Sequence, residues 1–138
     1  MLEKLIAAAW ETRKNAYAPY SHFAVGAAVL TTDGHIYTGC NIENVSYGLT
    51  NCAERTAIFQ AVAHGEREFT HLAICTDTDI WTAPCGACRQ VMLEFAPQMQ
   101  VIMVNSRGER KQLSAAELMP DAFADFQIKT EEGRGDRK

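Results

Sequence analysis

The chain has 138 residues, 47% hydrophobic and 22% charged, with a formal net charge of −4. That length suits one domain able to bury about two-thirds of the surface its unfolded form exposes, and the composition is that of an ordinary globular protein. The acidic balance lacks the basic footprint of a nucleic-acid binder, and no apolar run approaches the ~20 residues of a membrane span, so a small-molecule partner is expected.

Leu2, Leu5, Ile6, Ala9 and Trp10 recur at helical spacing and predict an opening amphipathic helix, which Pro19 stops. Phe23 to Leu30 is a nearly continuous apolar run of strand length. His35 to Cys40 makes a second strand, and Asp33-Gly34 between them is a two-residue hairpin signal. Ala57, Ile58, Ala61 and Val62 form a helical stripe that Gly65 ends. Leu72–Cys75 reads as a buried strand, Gly86–Phe95 as a helix closed by Pro97, and Val101–Val104 as another short strand. Ser106-Arg107-Gly108 is a turn, after which Lys111–Leu113 can pair as a last strand. Ser114-Ala115-Ala116-Glu117 has capping-box spacing and predicts a short helix that Pro120 ends.

A hairpin followed by alternating units implies an α/β fold, a mixed sheet with helices on its faces. We expect one domain over residues 1–128. The tail 129–138, almost wholly charged or glycine, is expected to be mobile. Met1-Leu2-Glu3-Lys4-Leu5 does not read as a signal peptide. The five cysteines, an odd number, suit reduced thiols or a metal better than a disulfide framework, so the cytoplasm is the expected compartment.

Asn51-Cys52-Ala53-Glu54-Arg55 and Pro84-Cys85-Gly86-Ala87-Cys88-Arg89-Gln90 each place cysteine where a helix begins. The positive end of a helix lowers thiol pKa and favours the thiolate that binds metal. Cys85 and Cys88 can grip one ion from a single turn, and Cys52 offers a third sulfur from the other helix. Three protein ligands with one open position is the arrangement of catalytic zinc, whereas structural zinc is closed by four. A ligand-x-Glu followed by Pro-Cys-x-x-Cys is the signature of zinc deaminases. Zinc lowers the pKa of a bound water toward neutrality, and Glu54 beside it can shuttle the protons. Three thiolates and Zn²⁺ sum to −1, so Arg55 or Arg89 is expected to bond a ligand sulfur and offset that charge. Cys40 and Cys75 read as core residues. Taken alone, Cys-x-x-Cys also fits a redox pair.

The sequence resembles the small, single-domain, zinc-dependent cytidine deaminases over nearly its whole length. The likeness runs from Ala18-Pro19-Tyr20-Ser21-His22-Phe23 and Gly39-Cys40-Asn41-Ile42-Glu43-Asn44 through both cysteine segments to Leu118-Met119-Pro120-Asp121-Ala122-Phe123. The resemblance implies Cys52, Cys85 and Cys88 as ligands of one Zn²⁺ and Glu54 as the proton shuttle in hydrolytic deamination of cytidine and deoxycytidine. It implies that Asn41 and Glu43 bind the ribose, that Phe23 stacks on the base, and that the main chain at Ala53 bonds the base. It also implies a three-layer helix–sheet–helix sandwich around a five-stranded mixed sheet. The implied assembly is a homotetramer in which Phe123 completes a neighbouring subunit's site. Residues two apart on an extended segment face one side, so Asn41 and Glu43 can converge on one diol, although both also suit loop capping. Two rival readings are a deaminase of a nucleoside-like antibiotic such as blasticidin S and a non-catalytic zinc-stabilised binding module.

Overall fold

Strand β1 (Val25–Thr31) is buried along its whole length, because it is flanked on both edges and covered on both faces. The computed structural model describes residues 1–124, and in it five strands follow the order β2-β1-β3-β4-β5. Here β2 is Ile36–Cys40, β3 Phe69–Thr76, β4 Gln100–Val104 and β5 Arg110–Ser114. β1 pairs antiparallel with both β2 and β3, β3 pairs parallel with β4, and β4 pairs antiparallel with β5. The sheet is therefore mixed. Its parallel pair is joined by helix α3 (Gly86–Phe95), the crossover that such a pair requires.

Alternate residues of each central strand serve opposite layers. Ala28, Leu30, Ala73, Cys75, Ile102 and Val104 pack with Leu5, Ile6 and Ala9 of helix α1 (Leu2–Arg13). Val25, Ala27, Val29, Leu72, Ile74, Val101 and Met103 pack on the other side with helix α2 (Ala53–Ala63) and α3. This is the expected helix–sheet–helix sandwich. Two glycines set how closely the layers meet. A Cβ on Gly26 would collide with the Ala9 carbonyl of α1, and one on Gly39 with the Ala57 nitrogen of α2.

The direction of the strands places the site. β2 and β3 both oppose β1, so they run the same way, and the helices that follow them start at the same end of the sheet. Ala53 and Cys88 lie in one core cluster, which puts both helix starts on one face. Crevices beyond the carboxyl ends of strands are the usual place for ligands in such sheets.

Three expectations need correction. α1 ends at Arg13 rather than at Pro19, because Tyr17 leaves the helix to pair with the extended segment after β2: its N–H bonds Asn41 O at 2.9 Å, and its carbonyl accepts from Glu43 N at 2.9 Å. The hairpin loop holds three residues, Thr32-Asp33-Gly34, since Thr31 N already bonds His35 O at 2.9 Å. Gly34 takes φ +90°, the left-handed position such a loop needs. The capping box at Ser114 forms in both directions, Ser114 N to Glu117 Oε1 at 2.8 Å and Glu117 N to Ser114 Oγ at 3.1 Å. The segment it caps is only a hydrogen-bonded turn, because Pro120 arrives before a helix can propagate. The expected domain end and the tail 129–138 lie outside the described residues.

Candidate active site

Cys52 and Cys85 are the N-cap residues of α2 and α3, both in extended conformation. The Cys52 sulfur does not cap its own helix; it lies 3.7 Å from the Cys85 sulfur. Cys85 Sγ is 3.5 Å from Cys88 Sγ and also accepts from Cys88 N. All three sulfurs lie within 4.8 Å of one another. A tetrahedral zinc with bonds of about 2.3 Å separates its sulfurs by about 3.8 Å, so the three cysteines match the ion. No fourth His, Cys, Asp or Glu joins the cluster among the described residues. One coordination position is left for water or substrate.

Electrostatics support the same assignment. A hydrogen bond from Cys88, aided by Arg55, brings the Cys52 thiol down to about 5. The bond to Cys52 and burial together push Cys88 up. Arg55, three residues after Cys52 and on the same helix face, donates from Nη2 to its sulfur at 3.4 Å. That contact raises the guanidinium pKa further. Arg89 goes elsewhere. Its Nε donates to Pro84 O and its Nη1 to Leu118 O, both at 2.7 Å, so two carbonyls rather than a sulfur take its hydrogen bonds.

Glu54 occupies the first turn of α2 with only 5% of its surface exposed. Burial pushes its carboxyl up to about 7, against a smaller opposing pull from its own main-chain N–H; the charge on Cys52 adds to the rise. Cys88 in turn feels the Glu54 charge, so the carboxylate stands near the three sulfurs without joining their cluster. A buried carboxyl titrating near neutrality beside three metal ligands is suited to giving and taking protons. Ala53, fully buried, opens α2, so its N–H belongs to the first turn, whose amides have no intrahelical partner.

Asn41 and Glu43 lie on the segment that continues β2, where Ile42 bridges Tyr17 and Asn51. Both side chains reach the same loop, as their spacing predicts. Asn41 Oδ1 accepts from Val25 N at 2.9 Å, and its Nδ2 donates to Phe23 O at 2.7 Å. Glu43 accepts from the main-chain N–H groups of Tyr20 at 2.9 Å and Ser21 at 3.1 Å, and from the Ser21 hydroxyl. These bonds hold the Glu43 carboxyl below its usual range, the Ser21 hydroxyl contributing most. A cleft of about 300 Å³ opens against Glu43, walled by Tyr20, Ser21, Tyr47 and Thr50. Phe23 is partly exposed on the loop, and Phe123 is 69% exposed, its carbonyl held by Gln90 Nε2 at 2.7 Å.

Sequence reasoning missed Ser21 and Thr56. Ser21 joins Glu43 to Phe23, whose N–H bonds its oxygen at 3.0 Å. Thr56 donates to Cys52 O at 2.9 Å and accepts from Asn51 Nδ2 at 3.0 Å, which steadies the cysteine's main chain. A threonine four residues after a presumed N-cap was the available signal.

Comparison with known proteins agrees with this geometry. Residues 1–104 match the family model of the cytidine and deoxycytidylate deaminase zinc-binding region. A cytidine deaminase of Sporosarcina psychrophila is 52% identical over 124 residues, spanning 89% of this chain and 91% of that protein. One from Mycobacterium tuberculosis is 44% identical over 115 residues, 83% of this chain and 84% of its own. The crystal structure of cytidine deaminase from Burkholderia pseudomallei superposes with a TM-score of 0.86 at 52% identity, covering 89% of this chain and 99% of that one. A match over three-quarters of the sequence, with relatives of this identity along nearly all of it, leaves one conclusion: the chain belongs to the cytidine and deoxycytidylate deaminase family.

Proposed function

We propose that this chain is a cytidine deaminase, converting cytidine and deoxycytidine with water to the uracil nucleosides and ammonia. The observation that carries the reading is Glu54, buried at the start of α2 against a three-cysteine cluster with one position open. Cys52, Cys85 and Cys88 would hold one zinc, which when bound would lower the pKa of the attacking water toward neutrality. Glu54 would carry one proton of the attacking water to ring N3, then carry the second, from the oxygen added at C4, to the departing amine as the C4–N bond breaks. Arg55 offsets the charge of the thiolates and keeps Cys52 oriented as a ligand. The first-turn N–H of Ala53 bonds the pyrimidine, and Phe23 stacks on it.

Asn41 and Glu43 read the ribose in this account while holding the Phe23 loop. Both retain capacity: Asn41 has a second amide hydrogen, and Glu43 has lone pairs beyond the bonds it accepts. The assembly is a homotetramer with Phe123 entering a neighbouring site. Its support is the exposed apolar run Ile42, Val45, Tyr47 and Leu49, unusual for a monomer's surface. The setting is cytoplasmic pyrimidine salvage. Among the described residues no helix is long and apolar enough to cross a membrane.

The loss of ultraviolet absorbance on deamination tests the proposal when cytidine, deoxycytidine and blasticidin S are compared. Turnover of both nucleosides with little action on the antibiotic is expected. Preference for blasticidin S, or a zinc-loaded protein inert toward all three, contradicts the reading.

A further inference from the structure

We propose that Asn105, in the turn between β4 and β5, is a positioning residue for the zinc ligand Cys85 and governs how fast the metal is lost. The inference rests on the three-cysteine zinc reading. Of the three ligands, Cys85 alone is exposed. Cys52 is fastened by Arg55, and Cys88 is buried within α3. Cys85 instead ends an irregular segment that leaves β3 at Thr76 and has no regular structure until Gly86. On one side α3 holds its main chain, Arg89 N bonding the Cys85 carbonyl at 3.0 Å; on the other its position depends on what ties that segment down.

Most of the ties come from one turn. Ser106 N donates to Thr78 O at 2.8 Å, and Asn105 Nδ2 to Asp79 O at 2.9 Å. Arg107 adds bonds to Asp79 O at 3.2 Å and Asp79 Oδ1 at 3.3 Å, and Trp81 Nε1 returns one to Glu109 O at 3.0 Å. Asn105 is 1% exposed and uses its amide fully. Its Oδ1 accepts from Arg107 N at 3.1 Å and Glu109 N at 2.9 Å, which builds the turn. Its Nδ2 donates to Glu109 Oε1 at 2.7 Å and to Asp79 O, which fastens the loop. One end of the side chain makes the turn; the other end holds the arm of the metal site. Nearer to Cys85 the same arm is held by Thr82 Oγ1, 3.1 Å from Thr76 Oγ1 of β3, and by the Arg89 bond to Pro84 O.

Substitution can separate those two roles. Asn105→Asp keeps acceptor oxygens for the Arg107 and Glu109 N–H groups and removes the donor to Asp79 O; it also replaces the bond to Glu109 Oε1 with a facing carboxylate, an effect on folding that the recorded Tm reads. Trp81→Phe keeps the ring and deletes its bond to Glu109 O. Gln112→Ala is the control, because Gln112 bonds Gln100 within the β4–β5 pair and has no tie to the loop.

The measurement is first-order release of zinc from loaded protein to a chromophoric chelator, with Tm and the kcat of the loaded protein recorded alongside. Removing a group that orients a ligand typically weakens metal binding about 10–100-fold. Asn105→Asp should therefore release zinc at least about tenfold faster, and Trp81→Phe should move the same way by a smaller factor. Gln112→Ala should stay at the parent rate, and all loaded proteins should keep kcat within about threefold of the parent. Release at the parent rate in Asn105→Asp and Trp81→Phe overturns the proposal. So does faster release in Gln112→Ala at a matched Tm, since that would mark a general effect of stability. Should Asn105→Asp fail to fold, Asn105→Ser, which keeps one short acceptor for the turn and lacks the amide that donates to Asp79 O, is read in its place with the same expectation. A parent protein that holds no zinc contradicts the metal reading itself, a result distinct from either of these.

Discussion

Two polar regions of this molecule spend their hydrogen bonds differently. At the starts of α2 and α3, Cys52, Cys85, Cys88 and Arg55 are turned toward one another, with the Glu54 carboxyl buried close enough to feel the charge on Cys52. At the Tyr20–Val25 loop, Asn41 and Glu43 are turned toward main-chain N–H and C=O groups. The first region gathers charge that only a metal, a proton or a substrate can satisfy. The second is largely satisfied already. Substitutions in the first should therefore damage chemistry with little loss of fold, whereas those in the second should damage both.

The largest expected effect belongs to Glu54→Gln. The amide is nearly isosteric and cannot shuttle protons, so turnover should fall at least ~10²–10⁴-fold while zinc content and Tm stay near the parent. A variant within tenfold of the parent would give the proton work to another group. Arg55→Ala follows. It strips the sulfur contact from Cys52, so zinc affinity or activity should fall roughly 10–100-fold, as for other groups that orient ligands. An unchanged zinc affinity together with unchanged kcat would make Arg55 a mere occupant of the helix surface.

The loop region divides its two polar residues. Asn41→Ala leaves the Val25 N–H and the Phe23 carbonyl without their partner, and a buried group left unpaired costs about 1–3 kcal/mol. It should lower Tm as well as kcat/KM for cytidine. Glu43→Ala, at a more open position, should act more selectively, weakening cytidine much more than free cytosine. Equal losses for both substrates in Glu43→Ala would make the pair purely structural and sharpen the contrast with the cysteine cluster.

How much of this was legible in the sequence follows the same division. The cysteine site could be read because its residues lie within two short segments and each helix start is local. The order of the elements likewise implied a mixed sheet with helices on its faces, and β1, β3 and β4 are apolar on both sides; the three-layer sandwich itself came from the family resemblance. What escaped was set by distant pairing. Tyr17 leaves α1 for a partner more than twenty residues away, so no local breaker could mark the helix end. Arg89 stands beside two ligands in sequence, and adjacency alone suggested a sulfur contact. The carbonyls of Pro84 and Leu118, the latter brought close only by the fold, took its hydrogen bonds instead. Asn41 and Glu43 were correctly placed on one side of their segment, while the loop that meets them there was not foreseeable from spacing.

Glu66 sets the lower end of the scale. Its carboxylate receives His35 Nδ1 and Tyr37 Oη, each at 3.0 Å, and ties the β1–β2 hairpin to the end of α2. The His35 bond, with that of Tyr37, lowers its pKa from 4.5. A carboxylate held low in the folded state stabilises fully above the unfolded value, and that contribution is lost as pH falls through the folded value. Glu66→Gln should therefore flatten the acid side of the stability curve below about pH 4.5 and leave cytidine turnover near the parent. A steep loss of turnover at neutral pH would tie this cluster to the active site.

The central claim is that one zinc held by three cysteines, with Glu54 beside it, performs the deamination. Its most direct test counts zinc per chain and measures cytidine turnover on the same preparations of the parent and of Cys52→Ala. The account predicts one zinc per chain and turnover in the parent, with both lost together in the variant. Full zinc occupancy in Cys52→Ala, or turnover by protein stripped of metal, would contradict it.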